Sequence, residues 1–158
     1  MKIYSGFNIP QNYYNSIILI GNFDGVHLGH QKLFQKARDY KKKFKSKIGV
    51  VTFNPMPKMF FNKNLKHFKL MSTTQKIAQF KKQKVDFLIN QKFSKSFSKI
   101  KAELFIKNYL NKKIKAKVLF VSNNFRFGNK REGDTRLLRH YENKYNYKLI
   151  IPSPLKKK

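Results

Sequence analysis

The hydrophobic positions along this chain follow two different periods. Short, mostly apolar runs, typical of parallel strands covered on both faces, occur at Ile17–Ile20, 48–53, 85–89, 117–121 and 147–151. Between these runs, apolar residues recur at helical spacing, with lysines on the opposite side. The alternation predicts an α/β fold, an open parallel sheet of about five strands with right-handed crossovers and helices on both faces.

The helical pattern predicts four helices, at about 28–44, 72–84, 102–110 and 134–141. Ser72 and Gln75 have the spacing of a capping box at the start of the second helix. Residues Lys2–Tyr4 are a candidate for a short edge strand. We find no internal repeat and no long linker, so we expect residues 1–158 to form one domain.

The composition indicates a globular protein and excludes cysteine chemistry. Of the 158 residues, 41% are hydrophobic, which is enough for a buried core. No apolar run approaches the roughly 20 residues that span a bilayer, so we expect a soluble cytoplasmic protein with no membrane partner. The chain has no cysteine, which excludes disulfides, Cys-ligated zinc and cysteine nucleophiles.

The charge is extreme, because 36 Lys+Arg stand against 7 Asp+Glu and give a formal net charge of +29. Such a charge attracts polyanions without sequence preference. Many of the lysines lie on the polar faces of the predicted helices, so we expect mostly a solvated surface and no specific nucleic-acid partner. With so few acidic residues and only 4 histidines, any metal should arrive with a substrate.

The segment after the first central strand carries the clearest chemistry. We call this segment, GNFDGVHLGHQ at residues 21–31, the phosphate loop. A buried strand, a glycine-bearing turn and a helix start bring unpaired backbone N–H groups to one point, where phosphate binds. Gly21 and Gly25 allow close backbone approach, and His27 and His30 can donate to phosphoryl oxygens. The alternative is two ordinary histidines near a helix cap.

Two more segments directly follow predicted strands. The apolar loop, NPMPKMFF at residues 54–61, must leave the sheet because proline cannot extend a strand ladder. It either covers the core or forms one wall for a flat ligand. The polar loop, residues 123–131, carries Asn124, Arg126 and Arg131, which suit phosphate, ribose or base contacts. Because ligands bind at the carboxyl ends of parallel strands, the three loops predict one site for a molecule with a flat part and phosphates.

Four motifs together resemble one known family. They are GNFDGVHLGHQ with its HxGH, VVTFNPMP, KIAQFKKQKVDFLI and NNFRFGNKREGD. They are similar to the HxGH signature, the TF-x-P-H-P loop, the helix before a GVDYV-type strand and the FRFG…R-x-G-D element of FMN adenylyltransferases. That family is the FAD synthetase half of bacterial bifunctional riboflavin kinase/FAD synthetases, in the nucleotidylyltransferase superfamily. The resemblance covers nearly the whole chain and implies a Rossmann-like fold.

The resemblance also implies an activity: ATP and FMN give FAD and pyrophosphate by direct in-line displacement, with Mg²⁺ delivered on ATP and no metal site built by the protein. It implies that the catalytic residues are His27, His30 and Asn124. The implied ATP- and phosphate-binding residues are Gly21, Asn22, Phe23, Gly25, His27, His30, Arg126 and Arg131, with Arg126 alternatively bracing its loop. The implied flavin-side residues are Asn54, Pro55, Met56, Pro57 and Phe60.

The chain departs from the family pattern in three places. Met56 stands where the family usually has histidine, and Lys84 stands where it usually has glycine. The family's SSTxxR-type motif, expected after the fifth strand, is not reached before Lys158, and neither is a riboflavin kinase module. We expect the natural polypeptide to continue past Lys158, the alternative being a fragment with impaired catalysis.

Other functions remain open on the sequence. A nucleotidylyltransferase could use another phosphate-bearing acceptor, which pyrophosphate release with different acceptors would reveal. A non-catalytic polyanion or nucleic-acid binder would show affinity that falls steeply with salt. A degenerate remnant would bind ATP without turnover. The oligomeric state is not predicted.

Overall fold

The computed structural model describes residues 1–23, 28–65 and 72–153. In this part of the chain, six strands form one fully parallel sheet in the order β1-β4-β3-β2-β5-β6. The strands are β1 Lys2–Tyr4, β2 Ile17–Ile20, β3 Ile48–Asn54, β4 Phe87–Lys92, β5 Val118–Phe120 and β6 Lys148–Ile150. The predicted α/β class is confirmed. The strand beyond the five predicted ones is β1, the N-terminal segment that was a candidate for an edge strand.

The helices alternate with the strands. They are α1 Leu28–Phe44, α2 Pro57–Phe61, α3 Thr73–Lys82, α4 Lys95–Ser98, α5 Ala102–Leu104, α6 Thr135–His140 and α7 Glu142–Tyr145. A π-helix, Phe105–Lys113, continues α5, and short 3-10 turns lie at Gln11–Tyr13, Lys63–Leu65 and Asn129–Arg131. No helix within the described ranges is long and apolar enough to cross a membrane.

The core has two layers, one on each face of the sheet. Because successive strand residues point to opposite faces, Ile17 and Leu19 join one buried cluster while Ile18 and Ile20 join the other. The first cluster includes apolar side chains of α1 and α3. The second includes those of α5, its π-helical continuation and α6. Coverage on both faces explains why β2 is an unbroken apolar run.

The strand order places a crevice above the centre of the sheet. From β2 the chain moves outward through β3 to β4, and it then returns to the other side of β2 to add β5 and β6. The direction therefore reverses between β2 and β5, and ligands of open parallel sheets bind at such a point, outside the carboxyl ends of the strands. The phosphate loop and the polar loop leave the two strands that flank it.

Several predicted boundaries were wrong. The apolar loop contains α2, because Pro57 fits the first helical position, where no N–H is needed. The predicted strand 85–89 is shifted, since β4 pairs with β3 as far as Asn54 opposite Lys92. The segment after this strand, residues 90–98, is expected from the sequence to be a loop, but part of it is α4, capped by the Ser94 side chain. The predicted helix 72–84 ends at Lys82, while its capping box is confirmed.

Candidate active site

The structure brings the three loops to the border of one cleft. Its volume is about 820 Å³. From the loops, the lining residues are Gly21 and Asn22, then Pro57, Lys58 and Phe61, then Asn124, Phe125, Arg126, Phe127, Gly128 and Arg131. All three loops follow the carboxyl ends of neighbouring strands, as the parallel topology requires. The cleft is large enough for a nucleotide-sized ligand.

The described part of the phosphate loop is fixed to the sheet and to the core. The Gly21 N–H donates to the Val51 carbonyl of β3 at 3.1 Å. Phe23 has a φ of 51°, and its ring is buried 5.6 Å from the ring of Phe34. Phe23 therefore anchors this loop through its side chain. Gly25 and His27 lie outside the described residues.

His30 lies in the first turn of α1, a helix of 17 residues. Its ring packs edge-on against Phe23, with the centroids 5.3 Å apart, and it is partly buried. The first turn of a helix carries backbone N–H groups without intrahelical partners and a partial positive charge. His30 is thus held by α1 and by the phosphate loop together.

The polar loop is closed by its own backbone. Phe127 and Gly133 form an isolated antiparallel bridge, with N–H to carbonyl distances of 3.2 and 2.8 Å. Asp134 then caps α6 by accepting from the Leu137 N–H at 2.9 Å. This bridge and cap explain the FRFG…R-x-G-D spacing. Since the backbone braces the loop, the exposed side chain of Arg126 is left at the cleft.

Asn124 lies at the mouth of the same cleft and is exposed. Its Oδ1 accepts a hydrogen bond from the Ser122 Oγ at 2.8 Å. The contact leaves the amide nitrogen of Asn124 able to donate toward a ligand. Ser122 also lines the cleft, so the start of the polar loop offers a pair of linked polar groups.

Some residues of the apolar loop pack in the core, and others line the cleft. Met56 is only 3% exposed and stands at the start of α2, which favours the packing interpretation for that position. Asn54 borders a small separate pocket beside Thr52 and Lys76. Of the five flavin-side candidates, only Pro57 is among the described lining residues of the large cleft. Phe61, which was not a candidate, lines the cleft and is 62% exposed.

An aromatic wall of the cleft was not predicted from the sequence. Phe93, Phe97 and Phe105 line it, with centroid distances of 5.7 Å between the first pair and 6.2 Å between the second. Phe93 and Phe97 are four residues apart and directly follow β4, which ends at the same sheet edge. That spacing after a strand was the signal available. The wall gives the cleft an apolar side, and it joins the polar loop where the Phe105 ring lies 5.6 Å from that of Phe127.

The cleft is electropositive. Its described lining includes Lys58, Arg126 and Arg131 and no Asp or Glu. Within the described ranges, no three side chains of His, Cys, Asp and Glu come together as a metal site. A cleft with this lining attracts anionic ligands such as phosphates.

Other lysines lie at the opposite edge of the sheet and pack on aromatic rings. Lys47 precedes β3 and lies 4.7 Å from the Tyr13 ring centroid, and Lys117 precedes β5 and lies 4.6 Å from that of Phe44. Lys148 begins β6 and lies 5.1 Å from the Tyr40 ring centroid. These contacts are cation–π interactions within the fold. Part of the +29 charge therefore contributes to packing away from the cleft.

The chain is similar to known proteins of one family. A sequence model of the FAD synthetase family matches residues 9–158. Proteins called bifunctional riboflavin kinase/FMN adenylyltransferase are similar to the chain in Buchnera aphidicola from Acyrthosiphon pisum, at 39% identity, and in Escherichia coli K12, at 33%. These matches cover 99% and 93% of this chain. The chain spans 50% and 48% of those relatives, or about half their length.

A solved structure shares the fold. It is a crystal structure described as a macrolide-efflux protein from Streptococcus pneumoniae, with a TM-score of 0.79 and 25% sequence identity. The match covers 98% of this chain and 50% of that one. Because the family match extends over nearly every residue and includes all three loops of the cleft, the chain belongs to the FAD synthetase family.

Proposed function

We propose that this chain transfers the AMP moiety of ATP to FMN, forming FAD and releasing pyrophosphate. The observation that carries the proposal is the cleft in which a phosphate loop, a basic polar loop and an aromatic wall meet. FMN and ATP each combine a flat ring system with phosphates, so the cleft matches both in chemistry. Membership of the FAD synthetase family supports the same reaction.

ATP would lie with its phosphates at the phosphate loop and the start of α1. His30 and, outside the described residues, His27 would donate to the phosphate oxygens. Arg126 and Arg131 reach the same cleft from the polar loop and would hold the phosphates by charge-assisted hydrogen bonds. Asn124 would orient a phosphate or the ribose.

The isoalloxazine ring of FMN would lie against the aromatic wall of Phe93, Phe97 and Phe105. In the reaction, an oxygen of the FMN phosphate attacks the α-phosphorus of ATP and forms a new P–O bond. The bond between that phosphorus and the α,β-bridging oxygen breaks, and pyrophosphate leaves with the electron pair. No covalent enzyme intermediate is needed, so positioning and charge stabilisation account for catalysis.

Mg²⁺ would enter as part of the ATP complex and supply charge neutralisation on the phosphates. The cleft offers amide and hydroxyl oxygens, such as those of Asn22, Ser122 and Asn124, and its described lining has no carboxylate. That donor set fits an ion that keeps waters and takes its main ligands from substrate phosphates. The protein side chains would then orient the complex.

The experiment is FAD and pyrophosphate formation by this chain with ATP and FMN, compared with a His30→Ala variant. We expect turnover to fall on the order of 10² to 10³-fold, the usual cost of removing one donor to a transition-state charge. His140→Ala is the matched control, since His140 is an exposed histidine in α6. Thermal unfolding of both variants separates activity from folding.

Acceptor choice is tested in the same assay by replacing FMN with riboflavin or with another phosphate-bearing acceptor. Pyrophosphate released with another acceptor but not with FMN would overturn the flavin assignment. Unchanged FAD formation by His30→Ala would overturn the placement of the phosphates. Binding of polyanions that ignores flavin and weakens steeply with salt would favour the non-catalytic alternative.

A further inference from the structure

Helix α3 contacts the phosphate loop with two side chains from one face. The Lys76 Nζ donates to the backbone carbonyl of Asn22 at 2.8 Å, although 54 residues separate them. One turn later, the Phe80 ring packs edge-on against Phe23, with the centroids 5.8 Å apart. Residues four apart lie on the same side of a helix, so these contacts form one attachment.

The backbone that Lys76 holds is unusual. Phe23 has a φ of 51°, a left-handed conformation that a bulky residue adopts only when its surroundings enforce it. Its ring is enclosed by Phe34, Phe80 and His30. The packing thus fixes the side chain of Phe23. The orientation of the Asn22–Phe23 peptide is a backbone property, so it needs a separate constraint.

Lys76 supplies that constraint through the Asn22 carbonyl. In a planar trans peptide the C=O and the following N–H point in opposite directions. Holding the Asn22 carbonyl against α3 therefore directs the Phe23 N–H away from Lys76. An ammonium donor makes this a charge-assisted hydrogen bond, which is stronger than a neutral one.

We propose that Lys76 is a positioning residue for adenylyl transfer, which sets the Asn22–Phe23 peptide at the start of the phosphate loop. The proposal rests on the proposed function, because the positioned group is the phosphate loop. Lys76 acts through the backbone carbonyl, and its half-buried side chain reaches that carbonyl from the neighbouring helix. A purely structural attachment of α3 is the competing explanation.

The test compares Lys76→Met and Lys76→Arg with Lys82→Met, an exposed lysine of the same helix that controls for the lost charge. In Lys76→Met we expect kcat for FAD formation to fall on the order of 10²-fold, the cost of a small misplacement at a catalytic loop. The KM for FMN should change little. Lys76→Arg, which keeps a cationic donor, should recover most of the loss, and Lys82→Met should match the unaltered chain.

A readout besides activity is the backbone amide NMR signal of Phe23. It should shift in Lys76→Met and stay in place in Lys82→Met. Turnover equal to that of the unaltered chain in Lys76→Met would overturn the proposal. Equal losses of kcat and of thermal stability in Lys76→Met and Lys76→Arg would overturn it in favour of a structural attachment.

The two proposals fail in different ways. If the unaltered chain forms no FAD from ATP and FMN, the proposed function fails. Lys76 is then judged by ATP binding measured calorimetrically and by the Phe23 amide signal. Weaker ATP binding and a shifted amide in Lys76→Met would support its positioning role at the phosphate loop. Equal ATP binding and an unmoved amide signal would overturn it.

Discussion

Gly128 packs directly on the backbone of Ala102. A Cβ on Gly128 would lie 2.7 Å from both the Cα and the N of Ala102. Gly128 also has a φ of 80° and a ψ of −179°, a region that is essentially restricted to glycine. The polar loop can therefore seat against the start of α5 only with glycine at this position.

We expect Gly128→Ala to lower the free energy of unfolding by about 3 kcal/mol, because strain and the clash act together. It should also reduce FAD formation on the order of 10²-fold, since Asn124 and Arg126 belong to the displaced loop. Urea unfolding and an FAD assay measure the two effects.

Gly6→Ala is the control for this substitution, because the atom nearest to a Cβ there is the Gln91 Oε1 at 3.5 Å. Its stability should stay within about 0.5 kcal/mol of the unaltered chain. Equal stability of the two variants would contradict the close seating of the polar loop.

Lys84 occupies a glycine position at the end of α3. Its φ is 63°, and the Lys84 N–H to Lys81 carbonyl and Val85 N–H to Phe80 carbonyl bonds, both 3.0 Å, form a Schellman motif. A left-handed non-glycine residue is strained, so we expect Lys84→Gly to stabilise the chain by about 0.5–1 kcal/mol. Chemical unfolding would measure the gain.

Ala78→Gly provides the contrast, since Ala78 is an exposed residue in the interior of the same helix. There glycine should destabilise by about 1 kcal/mol. A loss of stability in Lys84→Gly of the size seen in Ala78→Gly would refute the strain at Lys84.

Tyr147 links stability to pH. It is 6% exposed, and its hydroxyl donates to the Leu138 carbonyl. Burial, assisted by the negative charge of Glu142, raises the pKa of Tyr147 above its usual value of 10.0. Above pH 10 the unfolded phenol loses its proton while the folded one keeps it, so stabilisation present below that pH is lost as the pH rises.

We therefore expect the free energy of unfolding to fall above pH 10 less steeply in Tyr147→Phe than in the unaltered chain. At pH 8 the variant should be less stable by about 1 kcal/mol, because it lacks the hydrogen bond. Urea unfolding of both proteins at pH 8 and at several values above pH 10 measures the stability difference and the two slopes. Parallel pH curves for the two proteins would show that Tyr147 does not carry this dependence.

The elements with local signals were predicted well. Leu28–Phe44 is helical as its apolar spacing indicated, and the Ser72 capping box is formed. Both depend on contacts within a few residues, which spacing records. The extension of β4 to Lys92 depends on pairing with β3, and the start of β6 at Lys148 depends on pairing with β5. Non-local pairing leaves no comparable trace in one sequence.

The site shows the same division. The meeting of the three loops was predicted from the parallel arrangement of the strands, because parallel strands end at a common edge of the sheet. Which side chains of these loops line the cleft could not be predicted in the same way. Met56 is buried, while Phe93 and Phe97, for which the sequence predicted no role, line the cleft.

The parallel α/β architecture, the three loops at one edge of the sheet and the family resemblance can all be predicted from the sequence alone, because short periods and compact motifs encode them. The side chains that line the cleft, and the contacts that hold Asn22 and Phe23 in place, are visible only in the folded protein. The bond from Lys76 to the Asn22 carbonyl joins residues 54 positions apart. Such a contact exists only after folding has brought α3 beside Asn22 and Phe23, since chain spacing alone does not specify which distant groups become neighbours.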